Sequence, residues 1–424
     1  MSILLHVALL VAFASLTGLV LLVLFEPGLA YRVVGREDAR STPDFPGLLA
    51  LLVDSKVQQA GSVQVLTNGE AFYPAELAAI ETARMSVHIE AFILHPSAIA
   101  DRFLAALIDR AKRGVSVRVV IDAIGSFPAP EGYFDALRAA GGRVARYQPI
   151  RWYTLKRFNN RTHRELVIVD GEVGFIGGAG IAAHWSEPAA LAAPWRDTMV
   201  RLTGPVVAGL QSAFLENWVE ATGEIVAGRD SFPLGRPSDH GVPAVVVTGT
   251  PSPARASRAR ILFQLALASA SRSIEICSPY FLPDRGVRRE MISAVARGVR
   301  VRVIVPGKDN NHPIARLASR RRYGELLRRG IEVFEYERGM IHAKIMVVDG
   351  RYAVVGSTNF DSRSFELNDE VNLALFDAEV AARLARDFEQ DLLKARRVTL
   401  EDWQRRPLTE RLLATAGIVL ERHV

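Results

Sequence analysis

The chain is written twice, and that repetition limits the folds open to it more than any other feature. "RTHRELVIVDG" (161–171) and "MIHAKIMVVDG" (340–350) both run His, any residue, a charged residue, four residues, Asp, Gly. The charged residue is Glu165 in the first copy and Lys344 in the second. The order repeats upstream: "PAELAAIETARMS" (74–86) then "VHIEAFIL" (87–94) corresponds to "RILFQLALASASRS" (260–273) then "IEICSPYFL" (274–282). "RFLAALIDRAKRGVSVRVVID" (102–122) corresponds to "REMISAVARGVRVRVIVP" (289–306), each a helical pattern, a Gly stop and a β-branched run. "YFDALRAAGGRVARY" (133–147) matches "RYGELLRRGIEVFEY" (322–336).

A repeat on this scale means two copies of one folding unit. Strands alternating with helices imply crossover units on a mostly parallel sheet flanked by helices, so the fold class is α/β with two similar domains, 62–225 and 244–395. Between them 226–243 is rich in Gly, Pro and polar residues and reads as a linker. The tail 396–424 reads as a helical appendage, packed either on the body or on a membrane surface.

With 424 residues, 49% of them apolar and 23% charged, the chain can bury two proper cores. Its start differs. Positions 3–25 carry no formal charge and would make roughly 35 Å of helix, enough to cross a bilayer. A cleaved signal peptide would begin with a basic region, whereas no Lys or Arg precedes Tyr31, so 1–30 is expected to be a retained transmembrane anchor. Arg32, Arg36 and Arg40 follow it and put the catalytic body on the cytoplasmic side, with Glu37 and Asp38 diluting that signal. The net charge of +6 and pI near 9.6 suit work beside anionic lipid or a phosphate-bearing substrate. Cys277 is the sole cysteine, which excludes an intrachain disulfide and a cysteine metal cluster.

Residues two apart on a strand face the same way, so His342 and Lys344 are expected on one face, as are Arg161, His163 and Glu165. Asp170-Gly171 and Asp349-Gly350 are turn signals, after which "VGFIGGAGIA" (173–182) and "YAVVGSTNF" (352–360) return. Small residues at Gly177, Gly178, Gly356 and Ser357 leave room for a ligand near the backbone. Lys344, His342, Ser357 and Asn359 together make a phosphate site of cation, imidazole and neutral donors. Two such sites face to face supply one histidine to attack phosphorus and one to protonate the leaving oxygen. Each histidine needs a carboxylate to hold its tautomer, and Asp197 ("PWRDT") and Glu370 ("FELNDEVN") lie downstream of the first and second motif respectively. His163 and Glu165 lack the tight ligand set that zinc requires, so no metal and no cofactor is expected.

On these residues the sequence resembles the phospholipase D superfamily, whose signature H-x-K-x-x-x-x-D occurs twice, each followed by G-[GS]-x-N. The resemblance covers roughly residues 62–395 and is to the bacterial cardiolipin synthase branch in "VLTNGEAFYPAELAAIETARMSVHIEAFIL", "HRELVIVDGEVGFIGG", "WRDT" and "HAKIMVVDGRYAVVGSTNFDSRSFELNDEVNL". It implies metal-free phosphatidyl transfer through a phosphohistidine in one cleft at a pseudo-two-fold axis, on an enzyme of the bacterial inner membrane. The implied catalytic set is His163 as nucleophile, His342 as acid and base, Lys344, Asp170, Asp349, Glu370 and Asp197, with Asn359, Ser357, Arg161 and Glu165 contacting substrate. The implied partner is an anionic phospholipid, with phosphatidylglycerol as acceptor giving cardiolipin and water giving a phospholipase D. A nuclease would want a basic groove with interleaved aromatics; the Arg320, Arg321, Arg322, Arg328 and Arg329 cluster reads instead as a solvated helix face.

The first half departs from that signature at Glu165, where Lys is expected, and at Gly180, the counterpart of Asn359. A unit charge about 5 Å from a phosphate at an effective dielectric near 20 is worth roughly 3 kcal/mol, so reversing it costs several decades of rate unless compensated. Arg161 could pair with Glu165 or reach the phosphate, with Arg164 and Arg196 as further candidates. Glu165 could instead be protonated, serve as an extra acid or base, or hold a hydroxylated or cationic acceptor. A catalytically impaired lipid-binding protein is the rival that Glu165 favours and the intact second half opposes.

Overall fold

The computed structural model describes residues 2–24, 29, 31–35, 42, 44–152, 159–186, 194–228, 232, 240–251, 256–408 and 410–411. From the N-terminus run α1 (Ser2–Leu24), α2 (Phe45–Leu52) and β1 (Val57–Ala60). The first half continues as β2 (Ser62–Thr67), α3 (Gly69–Glu81), β3 (Ser86–Ala91), α4 (Ala98–Lys112), β4 (Ser116–Asp122), α5 (Asp135–Ala139), β5 (Arg143–Tyr147), β6 (Arg161–Thr162), β7 (Leu166–Val169), β8 (Val173–Gly177), β9 (Thr198–Thr203) and α6 (Val207–Thr222). The second half repeats this as β10 (Val242–Gly249), α7 (Arg258–Ser269), β11 (Ser273–Cys277), β12 (Phe281–Leu282), α8 (Arg285–Ala296), β13 (Arg300–Pro306), α9 (Pro313–Arg328), β14 (Glu332–Tyr336), β15 (Ile345–Val348), β16 (Tyr352–Gly356), β17 (Phe360–Asp361), α10 (Ser362–Glu366), β18 (Asn368–Leu375) and α11 (Ala378–Leu392). β19 (Ala395–Val398) and α12 (Leu400–Gln404) close the described chain.

Each half forms one mixed sheet, not the mostly parallel sheet expected. In the first, ordered β2-β9-β8-β7-β3-β4-β5, parallel neighbours occur only among β3, β4 and β5, which are joined to one another by crossover connections through α4 and α5. The β7–β8 hairpin and its neighbours are antiparallel. The second sheet, β1-β10-β18-β16-β15-β11-β13-β14-β19, repeats the pattern. The hairpins turn at Asp170-Gly171 and Asp349-Gly350, where φ is 54°, 65°, 55° and 62°, the paired left-handed conformation an Asp-Gly turn accommodates.

Three cores result. One lies on the outer face of the first sheet beneath α3 and α4, a second on the outer face of the second sheet beneath α7 and α8. The third is shared, with Ile168, Val200 and Phe214 meeting Val246, Ile345 and Leu373 between the two sheets. The two halves are therefore joined by buried apolar surface. The segment before β2 crosses over: β1 pairs with β10, on the edge of the second sheet.

Residues 229–231 and 233–239 of the expected linker lie outside the described residues, and its end is already strand β10. Of the tail, 409 and 412–424 lie outside; the rest packs on the body as strand and helix, with Trp403 Nε1 donating to Arg320 O at 2.6 Å. Arg320 itself is buried and paired with Glu335 and Glu410, so it is no solvated face. α1 runs over Ser2–Leu24 and presents Leu10 and Phe13 to the outside. Among the described residues no helix is long and apolar enough to cross a membrane. Residues 1, 25–28 and 30 of the expected anchor lie outside them.

Candidate active site

The strand leading to each histidine inserts beside the carboxylate strand of the opposite half. β6 pairs in parallel with β18, Arg161 opposite Asn368 and Thr162 opposite Asp369, and His163 N donates to Asp369 O at 2.8 Å. One residue further along, His163 faces Glu370. Across the pseudo-two-fold, Ile341 bridges Arg196 in parallel and His342 N donates to Arg196 O at 2.7 Å, so His342 faces Asp197. His163 Nδ1 lies 3.1 Å from Glu370 Oε2, and His342 Nδ1 lies 2.8 Å from Asp197 Oδ2. Both candidate carboxylates are used, and the partners are exchanged between halves: the carboxylate downstream of each motif holds the histidine of the other.

His163 Nδ1 also contacts Ser357 O at 2.9 Å. A carbonyl and a carboxylate both only accept, so Nδ1 carries the proton and Nε2 presents a lone pair. Ser357 Oγ donates to Glu370 Oε2 and accepts from Val371 N at 3.0 Å, which makes it a group that positions Glu370. Asp197 Oδ2 also accepts from Trp185 Nε1 at 3.0 Å and Oδ1 from Thr198 N at 2.8 Å. Burial pushes the Asp197 carboxyl up, but His342 and then Lys344 hold it below its ordinary range.

Lys344 Nζ lies 3.0 Å from His342 Nε2 and 2.9 Å from His342 O. Burial, and after it the Lys344 charge, pull His342 down to about 4 against the upward pull of Asp197, so its imidazole is neutral at pH 7 in the free site. Burial likewise lowers Lys344. Aromatic rings wall the cleft: Phe92 stands 5.1 Å from His163, and Trp195 and Trp185 stand 5.2 and 5.6 Å from His342, centroid to centroid. Sequence reasoning missed all three, although Trp195 directly precedes Arg196-Asp197.

Asn359 is buried and its Oδ1 has no hydrogen-bond partner among the described residues. The glycines serve the protein instead. A Cβ on Gly177 or Gly356 would stand 2.3 Å from the neighbouring strand's Thr198 O or Val371 O. One on Gly178 would meet Asp197 Oδ1 at 2.7 Å and the Lys344 stem at 3.0 Å.

Asp170 and Asp349 do not reach the histidines, contrary to the catalytic role expected of them. They sit at the far ends of β7 and β15, about 13 Å of strand away. Asp170 accepts from Arg84 N, Met85 N and Ser86 N at 2.9, 2.7 and 2.9 Å. Asp349 accepts from Ser271 N, Arg272 N and Ser273 N at 2.9, 2.6 and 2.9 Å. Each clamps the helix-to-strand turn that precedes β3 or β11.

Around Glu165 the expected arginines are engaged elsewhere. The strand breaks after Thr162, so Arg161, His163 and Glu165 do not share a strand face. Arg161 lies 3.6 Å from Asp122 and donates to Asn160 O and Gln148 O. Arg164 is fully buried and ties Glu216 to Gly249 O and Glu370 O. Arg196 holds Asp391 at 2.9 Å. The Glu165 carboxyl turns back toward its own half, where Oε1 accepts from Ile93 N at 3.4 Å. Burial holds it well above the carboxylate range, opposed by that hydrogen bond and by Lys344. A Cβ on Gly180 would stand 2.3 Å from Ile93 O and 3.0 Å from Glu165 Oε1, so the two departures from the family signature occupy one space.

A family model described as "Cardiolipin synthase, PLD-like domain" matches residues 77–186 and 264–392, which contain both histidines. The cardiolipin synthase of Geobacillus kaustophilus is 34% identical over 366 residues, 86% of this chain and 72% of that one. Cardiolipin synthase A of Pseudomonas putida is 36% identical over 369 residues, 86% and 76%. Among solved structures, the phosphatidylserine synthase of Haemophilus influenzae superposes with a TM-score of 0.71 at 15% identity, over 89% of this chain and all of that one. The polyphosphate kinase of Porphyromonas gingivalis gives 0.55 at 11%, over 92% and 56%. The likeness to these two is one of fold. With matched histidines in each copy and relatives of this identity over most of its length, the chain belongs to the cardiolipin synthase family of the phospholipase D superfamily.

Proposed function

We propose that the protein is a membrane-anchored phosphatidyltransferase joining two phosphatidylglycerols into cardiolipin and glycerol, with residues 1–30 as anchor and 62–225 and 244–395 as the two domains of its catalytic body in the bacterial inner membrane. The observation that carries this reading is the exchanged pairing, His163 with Glu370 and His342 with Asp197, which supplies two oriented imidazoles in one buried cleft. His163 Nε2 attacks the phosphorus of the donor lipid, the bond from phosphorus to the glycerol headgroup oxygen breaks, and His342 Nε2 gives its proton to that oxygen. The headgroup hydroxyl of the second lipid then loses its proton to His342 and attacks phosphorus, and the phosphorus–nitrogen bond breaks to free His163. His342 is neutral in the free site, and the bound phosphodiester anion supplies the charge that raises its proton affinity and draws Lys344 off the imidazole. Water entering in place of the second lipid gives hydrolysis on the same groups.

The test is purified full-length protein in detergent with labelled phosphatidylglycerol and a chelator. Cardiolipin made by the natural protein and abolished in His342→Ala supports the reading. Phosphatidic acid as the only product overturns the transferase in favour of the hydrolase, and no turnover of any glycerolipid overturns both.

A further inference from the structure

We propose that Phe127, Ile150 and Trp152, on the two loops beside His163, sink into the lipid interface and seat the rim of the cleft on the bilayer. The inference rests on the reading of the cleft as a lipid site and of α1 as an anchor, and adds a second membrane contact to them. β4 and β5 are parallel neighbours whose last residues, Asp122 and Tyr147, stand opposite each other, so the loops 123–130 and 148–152 leave the sheet side by side. Ala123 N donates to Tyr147 O at 3.1 Å, and Arg146 donates to Ala129 O. On these loops Phe127 is 81%, Ile150 61% and Trp152 84% exposed. Single exposed apolar side chains are ordinary, but large ones gathered on adjoining loops mark a contact surface.

Both loops belong to the rim on the His163 side. Ser126 Oγ donates to Phe92 O at 2.8 Å and accepts from Leu94 N at 3.0 Å, and the Phe92 ring walls His163. Arg161, two residues before His163, donates to Gln148 O at 2.9 Å, and Thr162 N donates to Asp122 Oδ2 at 3.1 Å. The chain that follows α1 is tied to the same rim. Leu29 O accepts from Arg260 at 3.4 Å, the Arg260 guanidinium stands 4.4 Å from the Tyr31 ring centroid, and Tyr31 Oη accepts from Ser257 N at 2.7 Å. Arg260 also pairs with Glu366 of α10 at 3.1 Å, and from α10 Arg363 donates to Asn159 Oδ1 at 2.8 Å, two residues before Arg161. α10 therefore joins the segment after the apolar helix α1 to the segment that enters the His163 site, and a bilayer holding α1 meets the body at this rim. A lipid surface covers α1 and the loops together, which a protein partner on the loops alone would not. An Arg between an aliphatic side chain and an indole, as in Ile150-Arg151-Trp152, suits the boundary between acyl chains and anionic headgroups.

The experiment has a depth arm and a kinetic arm, both on full-length protein reconstituted in vesicles of phosphatidylglycerol and phosphatidylcholine. In the depth arm Phe127→Cys is labelled with an environment-sensitive fluorophore, the native Cys277 being buried. Its emission shifts to the blue and is quenched by lipids brominated on the acyl chain. Met85→Cys, just before β3 at the opposite end of the sheet, carries the same label and stays unquenched. Equal quenching at the two positions overturns the proposal. So does a Phe127→Cys label that lipid does not quench; a blue shift without quenching would assign the loops to a second copy of the chain. In the kinetic arm the double variant Phe127→Ser, Trp152→Ser lowers the rate on vesicle phosphatidylglycerol, relative to that on soluble dihexanoyl phosphatidylglycerol, by about fivefold or more. A loss shared equally by both substrates overturns the seating role. Quenching needs no turnover, so an inert enzyme with a quenched label would sink the transferase reading and spare this one.

Discussion

His163 Nδ1 lies 3.1 Å from Glu370 Oε2, although the two belong to different copies of the repeat. β6 and β18 pair in parallel with Thr162 opposite Asp369, so the exchange is set by backbone register. Neither histidine is oriented unless the halves are docked, and the active site and the shared core form together.

The exchange predicts which variant perturbs which imidazole. Asp197→Asn removes the upward pull on His342 and moves the alkaline limb of the kcat/KM profile, where His342 loses the proton it must donate, to lower pH, because the remaining burial and Lys344 both press its affinity down. Glu370→Gln leaves that limb in place and lowers kcat by about 10²-fold or more through His163. A pH–rate profile of both variants decides; a limb moved by Glu370→Gln and not by Asp197→Asn would restore the order-based pairing.

Keeping His342 neutral has a cost in acid. Its affinity in the fold is about 4 against an ordinary 6.5, so the unfolded chain binds the extra proton and stability is lost as pH falls from about 6.5 to about 4. The loss is at most about 3 kcal/mol. Thermal melts between pH 7 and 4.5 should fall more steeply for the natural protein than for His342→Asn.

Glu76, on α3, gives the opposite slope. Burial alone raises its carboxyl to about 8, so the folded state holds a proton that the unfolded chain releases above about 4.5, and stability declines as pH rises to about 8. Glu76→Gln removes the ionisation and should raise Tm at pH 8 relative to its effect at pH 5. An equal change at both pH values would count against a protonated Glu76.

Asp170 and Asp349 should behave as clamps. Replacing either by Ala strands three backbone N–H groups and costs about 2–4 kcal/mol in denaturant melts, while kcat per folded molecule falls by less than about threefold. A selective loss of kcat with unchanged stability would return them to the chemistry.

Gly180→Ala places a methyl 2.3 Å from Ile93 O, a backbone atom that cannot swing aside. It should lower Tm by several degrees, and Gly180→Asn by at least as much. A neutral Gly180→Asn would show that the loop carrying Phe92 and Ile93 gives way more easily than its packing implies.

The sequence by itself determined the duplication, the α/β class, the two histidines, the lysine, the two carboxylates and the two first-half departures. All of these are local signals: a motif, a turn pair, a helical or β-branched run. Most strand pairs are antiparallel because each Asp-Gly hairpin, at Asp170-Gly171 and Asp349-Gly350, is flanked on both sides by further antiparallel neighbours, and the parallel pairs are confined to β3–β4–β5 and β11–β13–β14. Tertiary structure alone decided which carboxylate serves which histidine, because a parallel bridge between segments 207 and 145 residues apart leaves no periodic trace in either. It also decided that the motif aspartates are clamps and that Arg161, Arg164 and Arg196 are taken. A charged side chain's role depends on which groups surround it in a low-dielectric interior, and those neighbours come from both halves at once.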